Sequence, residues 1–581
     1  MRRLLYTLCF FFLCVIDQRI KTCSGLDGWL ETFRNLTGVV MAVLIMSHYK
    51  KQDFIKYKIP YLVWTGISMV GAIGAFVWGM GNYPFMNAWI VGILDVILFG
   101  YIVIHIVIDM VAEKKVPRLN KQFTLVWGIM MLLMVLSRSE YNWPLCYLIM
   151  FLSFVLTSFD EKEQEDMFQG MLNGVILGFF ILQGLCFVFR PYDYVRYVGF
   201  YSNPNINALF YLEVLAVALV KLIWTWKNNG KWWMKAFYTL GCGVVLSFMI
   251  LSIGRTAWIV SVVLILIGLW SLWRARGHKG FIKSGITMVL CVCVAFPLCF
   301  GAVRYLPPLF HHPIWFWGEW SETKVHSWDP WDSEKYIDLD EFADAALGRI
   351  AASIENLFQH SSGESGEVTV SWGEGSVEVL LAAGENAAGA QTAEAAEPEA
   401  EVAEPKVEAA ESEAEAAEPD TEAVDPEAEV VDDRYERAVF KDPNVVSDSL
   451  LTRGTIYKHY FSNLNLRGHP ESEQGFQLTP VYWIGHAHNI YLQYGTDFGI
   501  PMMVLFIVLL VWAAVIFVKK ILSGQEAEGT GWLLFMAVTA LFGLLEYSWG
   551  TGSLSTFMMF FAWAQAMKSD KKAVRELTGQ E

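Results

Sequence analysis

The chain has 581 residues, of which 54% are hydrophobic, 15% aromatic and only 18% charged, with a mean hydropathy of +0.37. Soluble domains carry about 25% charged residues, so a string of three or four soluble domains is excluded and a polytopic membrane protein fits. The net charge of −16 is local: residues 361–433 hold 22 Asp and Glu against Lys406 alone, so against the whole chain's −16 the remainder carries +5.

Apolar runs near membrane-spanning length recur along the chain. They cover 4–16, 30–47, 60–80, 87–110, 123–136, 144–158, 168–189, 206–224, 238–253, 257–273, 284–303, 498–518, 530–546 and 552–567. Arg2 and Arg3 precede a short first run, but no small-x-small cleavage site precedes Asp17, so that run is expected as a helix and not a removed signal. The expected fold class is an all-α polytopic membrane protein of about 14 transmembrane helices, with one large outer loop between the eleventh and twelfth spans.

Lys and Arg orient it. Lys50, Lys51, Lys56 and Lys58, then Lys114, Lys115, Arg118 and Lys121, fall on one side, as do Lys227, Lys231, Lys235, Arg274, Arg276, Lys279, Lys283, Lys519, Lys520 and the tail 568–575. The other side's short loops hold Arg19, Lys21, Arg138, Arg190, Arg196 and Arg255. Both termini are therefore expected inside. The organisation read this way is a membrane domain 1–303, an outer loop 304–485 and a membrane domain 486–581 with the last three spans. Within the loop, Phe342, Ala346, Ile350, Ile354 and Leu357 predict an amphipathic helix over 341–358. Residues from about 384 to 430 are Ala/Glu/Pro-rich without aromatics; they bury too little to offset ordering entropy and read as a disordered acidic spacer. Nine cysteines sit mostly in apolar runs, and the closest pair, Cys291 and Cys293, has neither metal-ligand spacing nor a partner pair. Neither a disulfide framework nor a metal site is expected.

Outer-facing arginines are the first chemical signal. Arg196 precedes Tyr197-Val-Gly-Phe-Tyr-Ser-Asn-Pro-Asn205, Arg255 lies in Leu251-Ser-Ile-Gly-Arg-Thr-Ala-Trp258, and Arg453 in Leu451-Thr-Arg-Gly-Thr455. A single arginine snorkels or caps a helix as often as it binds a ligand. Several at one face fit an anion such as pyrophosphate, which guanidinium binds through paired hydrogen bonds. The second signal is Gly485-His-Ala-His-Asn-Ile-Tyr-Leu-Gln-Tyr-Gly-Thr-Asp-Phe-Gly499. There His488 and Asn489 open the twelfth span, Asn489, Gln493 and Thr496 share one helical face, and Gly495 with Gly499 would admit a neighbouring helix.

These motifs resemble those of the O-antigen ligase and O-antigen polymerase-like membrane proteins: an Asn-Pro-Asn segment (Gly199–Asn205), an Arg-bearing helix turn (Ser252–Trp258) and an outer loop ending in His-Asn (Arg453–Gly499). His488, Asn489 and Gly499 meet the family's spacing of His-Asn, nine residues, Gly; Pro501-Met502 depart from its usual small or polar ending. The resemblance covers about 168–520 without the acidic insert. It implies glycosyl transfer at the outer face of a bacterial cytoplasmic membrane, from a polyprenyl-pyrophosphate-linked oligosaccharide to a growing polysaccharide or lipid acceptor, with no cofactor or metal. Flippase and chain-length-regulator proteins are the implied protein partners, beside membrane lipids; nucleic acid is not one. His488 is the implied base, Arg196, Arg255 and Arg453 the pyrophosphate ligands, and Asn205 and Asn489 the groups that position sugar hydroxyls.

Two other patterns compete with these. Asp338-Leu-Asp340 has the form of a nucleotide-sugar metal motif but lies in an acidic outer loop, where chance explains it better. Asp95, His105, Asp109 and Glu213 fall within apolar runs and suggest a proton or solute path. The alternative function is accordingly a transporter of a lipid-linked saccharide or a small anion, and a third is a scaffold acting through the acidic loop. No internal repeat of the transporter kind is visible.

Overall fold

The computed structural model describes residues 1–16, 27–115, 117–157, 159–190, 192, 196–201, 203–310, 329–331, 336–362, 443–479, 482–547 and 553–568. The expected acidic spacer at 384–430 lies outside them. The chain divides into two compact units, Met1–Ala346 with Ser449–Glu581, and Leu347–Asp448. Of the second unit, residues 347–362 and 443–448 are described, and they are helical.

Every one of the fourteen apolar runs falls on a helix. In chain order these are α1 (Arg2–Val15), α2 (Asp27–Met46), a short α3 (Lys51–Lys56), α4 (Lys58–Asn82), α5 (Met86–Val111), α6 (Lys121–Leu136), α7 (Trp143–Phe151), α8 (Glu161–Phe189), α9 (Pro204–Lys227) and α10 (Trp232–Leu251). Next come α11 (Arg255–His278) and α12 (Phe281–Phe310), separated by a kink at Gly277. The series ends with α13 (Leu339–Ser362), α14 (Pro443–Ser462), a hairpin of β1 (Phe476–Thr479) and β2 (Tyr482–Ile484), α15 (Ile490–Phe498), α16 (Ile500–Leu522), α17 (Glu526–Phe542) and α18 (Leu554–Met567). Among the described residues nine helices are long and apolar enough to cross a membrane: the apolar parts of α2, α4, α5, α8, α9, α10, α11, α12 and α16. The helices over 121–136, 143–156, 527–542 and 554–567 are apolar but shorter.

Which helices are central follows from how much of each surface is apolar and enclosed. α9 is buried on all sides, Leu212, Leu215, Ala216, Val217, Leu222 and Ile223 being inaccessible, whereas α4 exposes Ile59, Leu62, Ile67, Val70 and Ile73. α4 is thus the outermost wall and α9 the axis around which α8, α10, α11 and α17 pack.

The segments rich in Lys and Arg gather at one end of the helices. Lys227 Nζ donates to the Gly524 carbonyl (3.0 Å), Arg276 to the Trp226 carbonyl and Arg274 to that of Leu522 (3.4 Å). Arg2 pairs with Glu163 (3.1 Å), Arg3 with Asp166 (2.7 Å), and Lys568 Nζ donates to Gln164 (3.1 Å). The opposite end carries the start of α9, the ends of α10 and α17, and the hairpin.

The 304–485 segment begins inside the fold and not at a boundary. α12 runs on to Phe310, and Arg304, 1% exposed, donates to the Ile337 carbonyl (2.9 Å) and pairs with Asp338 (3.2 Å). Asp338 of the Asp-x-Asp pattern therefore closes a structural ion pair. The helix expected over 341–358 appears as α13, with Phe342 buried beside Phe296 and Phe300 while Ile350 is exposed; Ile354 and Leu357 lie outside the residues whose side chains are described.

Candidate active site

The site assembles where four chain segments end. Asn203 caps α9, its side chain accepting from the Asn205 and Ile206 amides (2.9 and 3.4 Å), with Pro204 at the first helical position. That fixes Asn205 in the first turn. The preceding segment docks on the α10–α11 turn: Arg196 Nε donates to the Ser252 carbonyl (3.0 Å), and the Tyr197 amide to that of Leu251 (2.9 Å). Ile253 in this turn has φ +46°, a left-handed conformation costly for a β-branched residue.

Glu546 is the hub. α17 ends at Phe542, and the turn beyond it places Glu546, 5% exposed, against three other segments. Its Oε1 accepts from the Arg453 guanidinium and from Asn205 Nδ2 (3.1 Å); its Oε2 faces His488 Nδ1 at 3.5 Å. Asn205 Oδ1 in turn accepts from Arg196 (2.5 Å). A continuous polar chain therefore runs Ser252–Arg196–Asn205–Glu546, where it forks to Arg453 and His488. The linked residues are separated by 9 to 341 positions in sequence. Burial pushes the Glu546 carboxyl up, but the His488 hydrogen bond and the charges of Arg453, His488 and Arg196 outweigh it, holding the group below the ordinary glutamate range. The site contains a fixed anion.

His488 is held by its backbone. It has φ +48°, its carbonyl accepts from Tyr457 Oη (3.2 Å), and the following Asn489 caps α15 through the Tyr491 and Leu492 amides (2.9 and 3.0 Å). With Nδ1 turned to Glu546, the ring's Nε2 has no hydrogen-bond partner among the described residues, and the side chain is 29% exposed. His486 lies against it, ring centroids 4.2 Å apart. Burial first, and the neighbouring His488 second, push His486 down to about 4 although Glu546 opposes them, so it is neutral near pH 7.

The polar stripe of α15 serves the scaffold. Asn489 Nδ2 donates to the Leu544 carbonyl (2.7 Å), so Asn489 holds the turn that carries Glu546, and both ends of its amide are engaged. Gln493 accepts from the Ala487 amide (2.8 Å) and donates to Asp497 (2.7 Å) and Gln474 (3.2 Å); Thr496 is buried. Gly499, expected to admit a helix, instead has φ +95° and meets the loop after α14: a Cβ there would stand 2.4 Å from the Leu466 carbonyl oxygen. Gly495 likewise faces Leu464 and Met503 side chains.

Five of the six site residues read from the sequence thus come together: Arg196, Asn205, Arg453 and His488 in the network itself, and Asn489 as its support. Arg255 opens α11, three residues past the Ser252 carbonyl that Arg196 engages. Glu546 was missed. It is the sole charged residue of the apolar run 530–546, and an ionisable group in such a run is a functional candidate by default, which was the signal available. Among the described residues no group of three His, Cys, Asp or Glu is placed to hold a metal ion. Comparison with protein families, with curated proteins and with solved structures finds no match for this chain.

Of the remaining ionisable residues, His105 bonds Tyr61 Oη (2.7 Å) and stacks on Tyr49, Asp109 pairs with Lys115 (3.3 Å), and Glu213 accepts from Ser555. Asp95 lines a mainly apolar cavity of about 470 Å³ among α1, α2, α5 and α7. None of these touches the Glu546 network.

Proposed function

We propose that the chain is a membrane glycosyltransferase that joins lipid-linked oligosaccharide units, with the Glu546 end of the helices facing the outside and both termini in the cytoplasm. One observation carries this reading: the three motif segments that resemble O-antigen ligases and polymerases are joined through the Ser252–Arg196–Asn205–Glu546 chain to Arg453 and His488.

Their chemistry fits one displacement. The acceptor hydroxyl oxygen attacks the anomeric carbon of the donor sugar. The bond from that carbon to the pyrophosphate oxygen breaks, its electron pair leaving with the polyprenyl pyrophosphate. The hydroxyl proton passes to His488 Nε2, the ring atom that is accessible. A sugar hydroxyl is a weak nucleophile, so a positioned general base accelerates the step by roughly 10²–10⁴-fold. Arg453, Arg196 and Arg255 supply fixed cations where charge develops on the leaving group. Glu546 is unsuited to be a nucleophile itself, because it is buried and both its oxygens are engaged. A single displacement inverts the anomeric centre.

The test is turnover of purified lipid-linked repeat unit by His488→Ala, normalised to folded protein. Transfer should fall at least about 10²-fold while donor binding persists. Retention of most of the activity would remove His488 as the base.

A further inference from the structure

The carboxylate at the centre of the site occupies the same guanidinium that a pyrophosphate would need. Arg453 is 22% exposed and turned toward Glu546, so an incoming diphosphate and Glu546 compete for one cation. Arg196 is tied to the same carboxylate through Asn205, whose amide accepts from one and donates to the other. The contact with His488 is the loosest of the three, at the long limit of a hydrogen bond. Glu546 therefore has strong partners on Oε1 and a weak one on Oε2.

Resting on the glycosyl-transfer reading, we propose that Glu546 is a place-holder anion: the donor's pyrophosphate displaces it from Arg453, and the released carboxylate closes on His488 Nδ1. The consequences follow from charge. A diphosphate carries more negative charge than one carboxylate and can present two oxygens to a planar guanidinium. Beside a diphosphate, the carboxylate is repelled from Arg453; Asn205 Nδ2 still donates to its Oε1, and the donor that faces its Oε2 is the imidazole. Closing the 3.5 Å gap fixes the hydrogen on Nδ1, leaves the Nε2 lone pair directed outward, and stabilises the imidazolium that forms as the acceptor loses its proton. His488 is then a strong base only when a donor is seated. In the empty site Arg453 keeps the carboxylate, and a wandering hydroxyl or water meets a weaker one. Glu546 acts through His488 and is a positioning residue.

The experiment uses inorganic pyrophosphate as the probe on the purified full chain in detergent. Glu546→Gln removes the competing charge but keeps the shape and a hydrogen-bonding group. It should bind pyrophosphate at least about ten-fold more tightly than the parent, as expected when a close charge partner is removed from a guanidinium, and transfer at least about 10²-fold more slowly. In the parent protein, ¹⁵N-histidine spectra should show His488, assigned by loss of its signal in His488→Gln, moving toward the Nδ1–H tautomer and a higher pKa as pyrophosphate is added. This measurement needs no folded variant at position 546. Unchanged or weaker pyrophosphate affinity in a folded Glu546→Gln, or a His488 spectrum indifferent to pyrophosphate in an active parent, overturns the place-holder role while leaving the transfer reaction standing. A parent that neither binds pyrophosphate nor transfers sugar overturns both.

Discussion

Asn489 decides whether the His-Asn pair is chemistry or scaffold. The resemblance gives it a sugar hydroxyl, whereas its amide caps α15 and holds the Leu544 carbonyl two residues before Glu546. Asn489→Ala removes the cap, about 1 kcal/mol, and the hydrogen bond to Leu544, about 1 kcal/mol more. A loss of about 2 kcal/mol is expected, concentrated where the 543–546 turn meets the start of α15. Asn489→Ser keeps a capping oxygen and loses the amide donor, so it should recover about half of that loss. Thermal unfolding in micelles, read beside donor titrations of the same preparations, separates the two roles. The scaffold predicts a graded fall in unfolding temperature, Ala below Ser below parent, with turnover falling in the same order and the Michaelis constant nearly constant. An alanine variant as stable as the parent, with its Michaelis constant raised severalfold, would refute the capping argument and restore Asn489 to the substrate.

Gly499→Ala should destabilise more severely, because φ +95° with ψ 160° is a region adopted essentially by glycine, costing about 1–3 kcal/mol for alanine, and its Cβ would also collide with backbone of the 466–467 loop; expression of folded protein is the measurement. His486 gives an acid limit. Its folded value of about 4 lies below the unfolded value of about 6.5, so stability is greatest above that unfolded value and declines as pH falls from 6.5 toward 4; His486→Phe should flatten this decline in a melting-temperature profile. His486→Ala should also lower activity by disturbing His488, since the two rings pack against each other. For topology, Ser412→Cys should react with an impermeant thiol reagent on intact cells above the background of the parent chain; labelling only after rupture would put the network on the wrong side.

Much of this was legible because membrane helices announce themselves. An apolar run of spanning length has few alternatives in lipid, where each backbone group must be paired internally, and each of the fourteen runs overlaps a helix among the described residues. The site was legible in part, because cations and a His-Asn pair stand out beside apolar runs. The rest was hidden for physical reasons. Glu546 reads as the last residue of a span, and only the early end of α17 at Phe542 turns it into the neighbour of residues as distant as Asn205. The glycine pair has the spacing of a helix contact, and spacing does not say that a loop's backbone is what approaches. Asn489 looks like a ligand because a free amide and a capping amide are the same residue; the cap becomes evident only once α15 is seen to start at Ile490.

The placement of the network follows from what helices can and cannot carry. Within a span, backbone polar groups are consumed by the helix and every charged side chain must find a partner in a low dielectric. At the ends, backbone groups are unspent and side chains are free to cap, so polar geometry can be built from both. Arg196 uses a carbonyl left over at the end of α10, and Asn203 and Asn489 satisfy the open amides of α9 and α15. Leu544, in the turn after α17, lends its carbonyl to Asn489. Helix ends thus bring Asn205 and His488 to one buried carboxylate that Arg453 reaches from within α14, and the left-handed residues at Ile253 and His488 lie in the turns at those ends. Changing the left-handed turn residue Ile253, which is not a member of the network, should therefore act on it only through the α10–α11 turn. Ile253→Gly should relax the strain at φ +46° but delete a buried side chain and loosen the unfolded chain, so a net loss of about 2–4 kcal/mol is expected, read as a lower unfolding temperature; a Gly variant as stable as the parent would refute the packing role of Ile253.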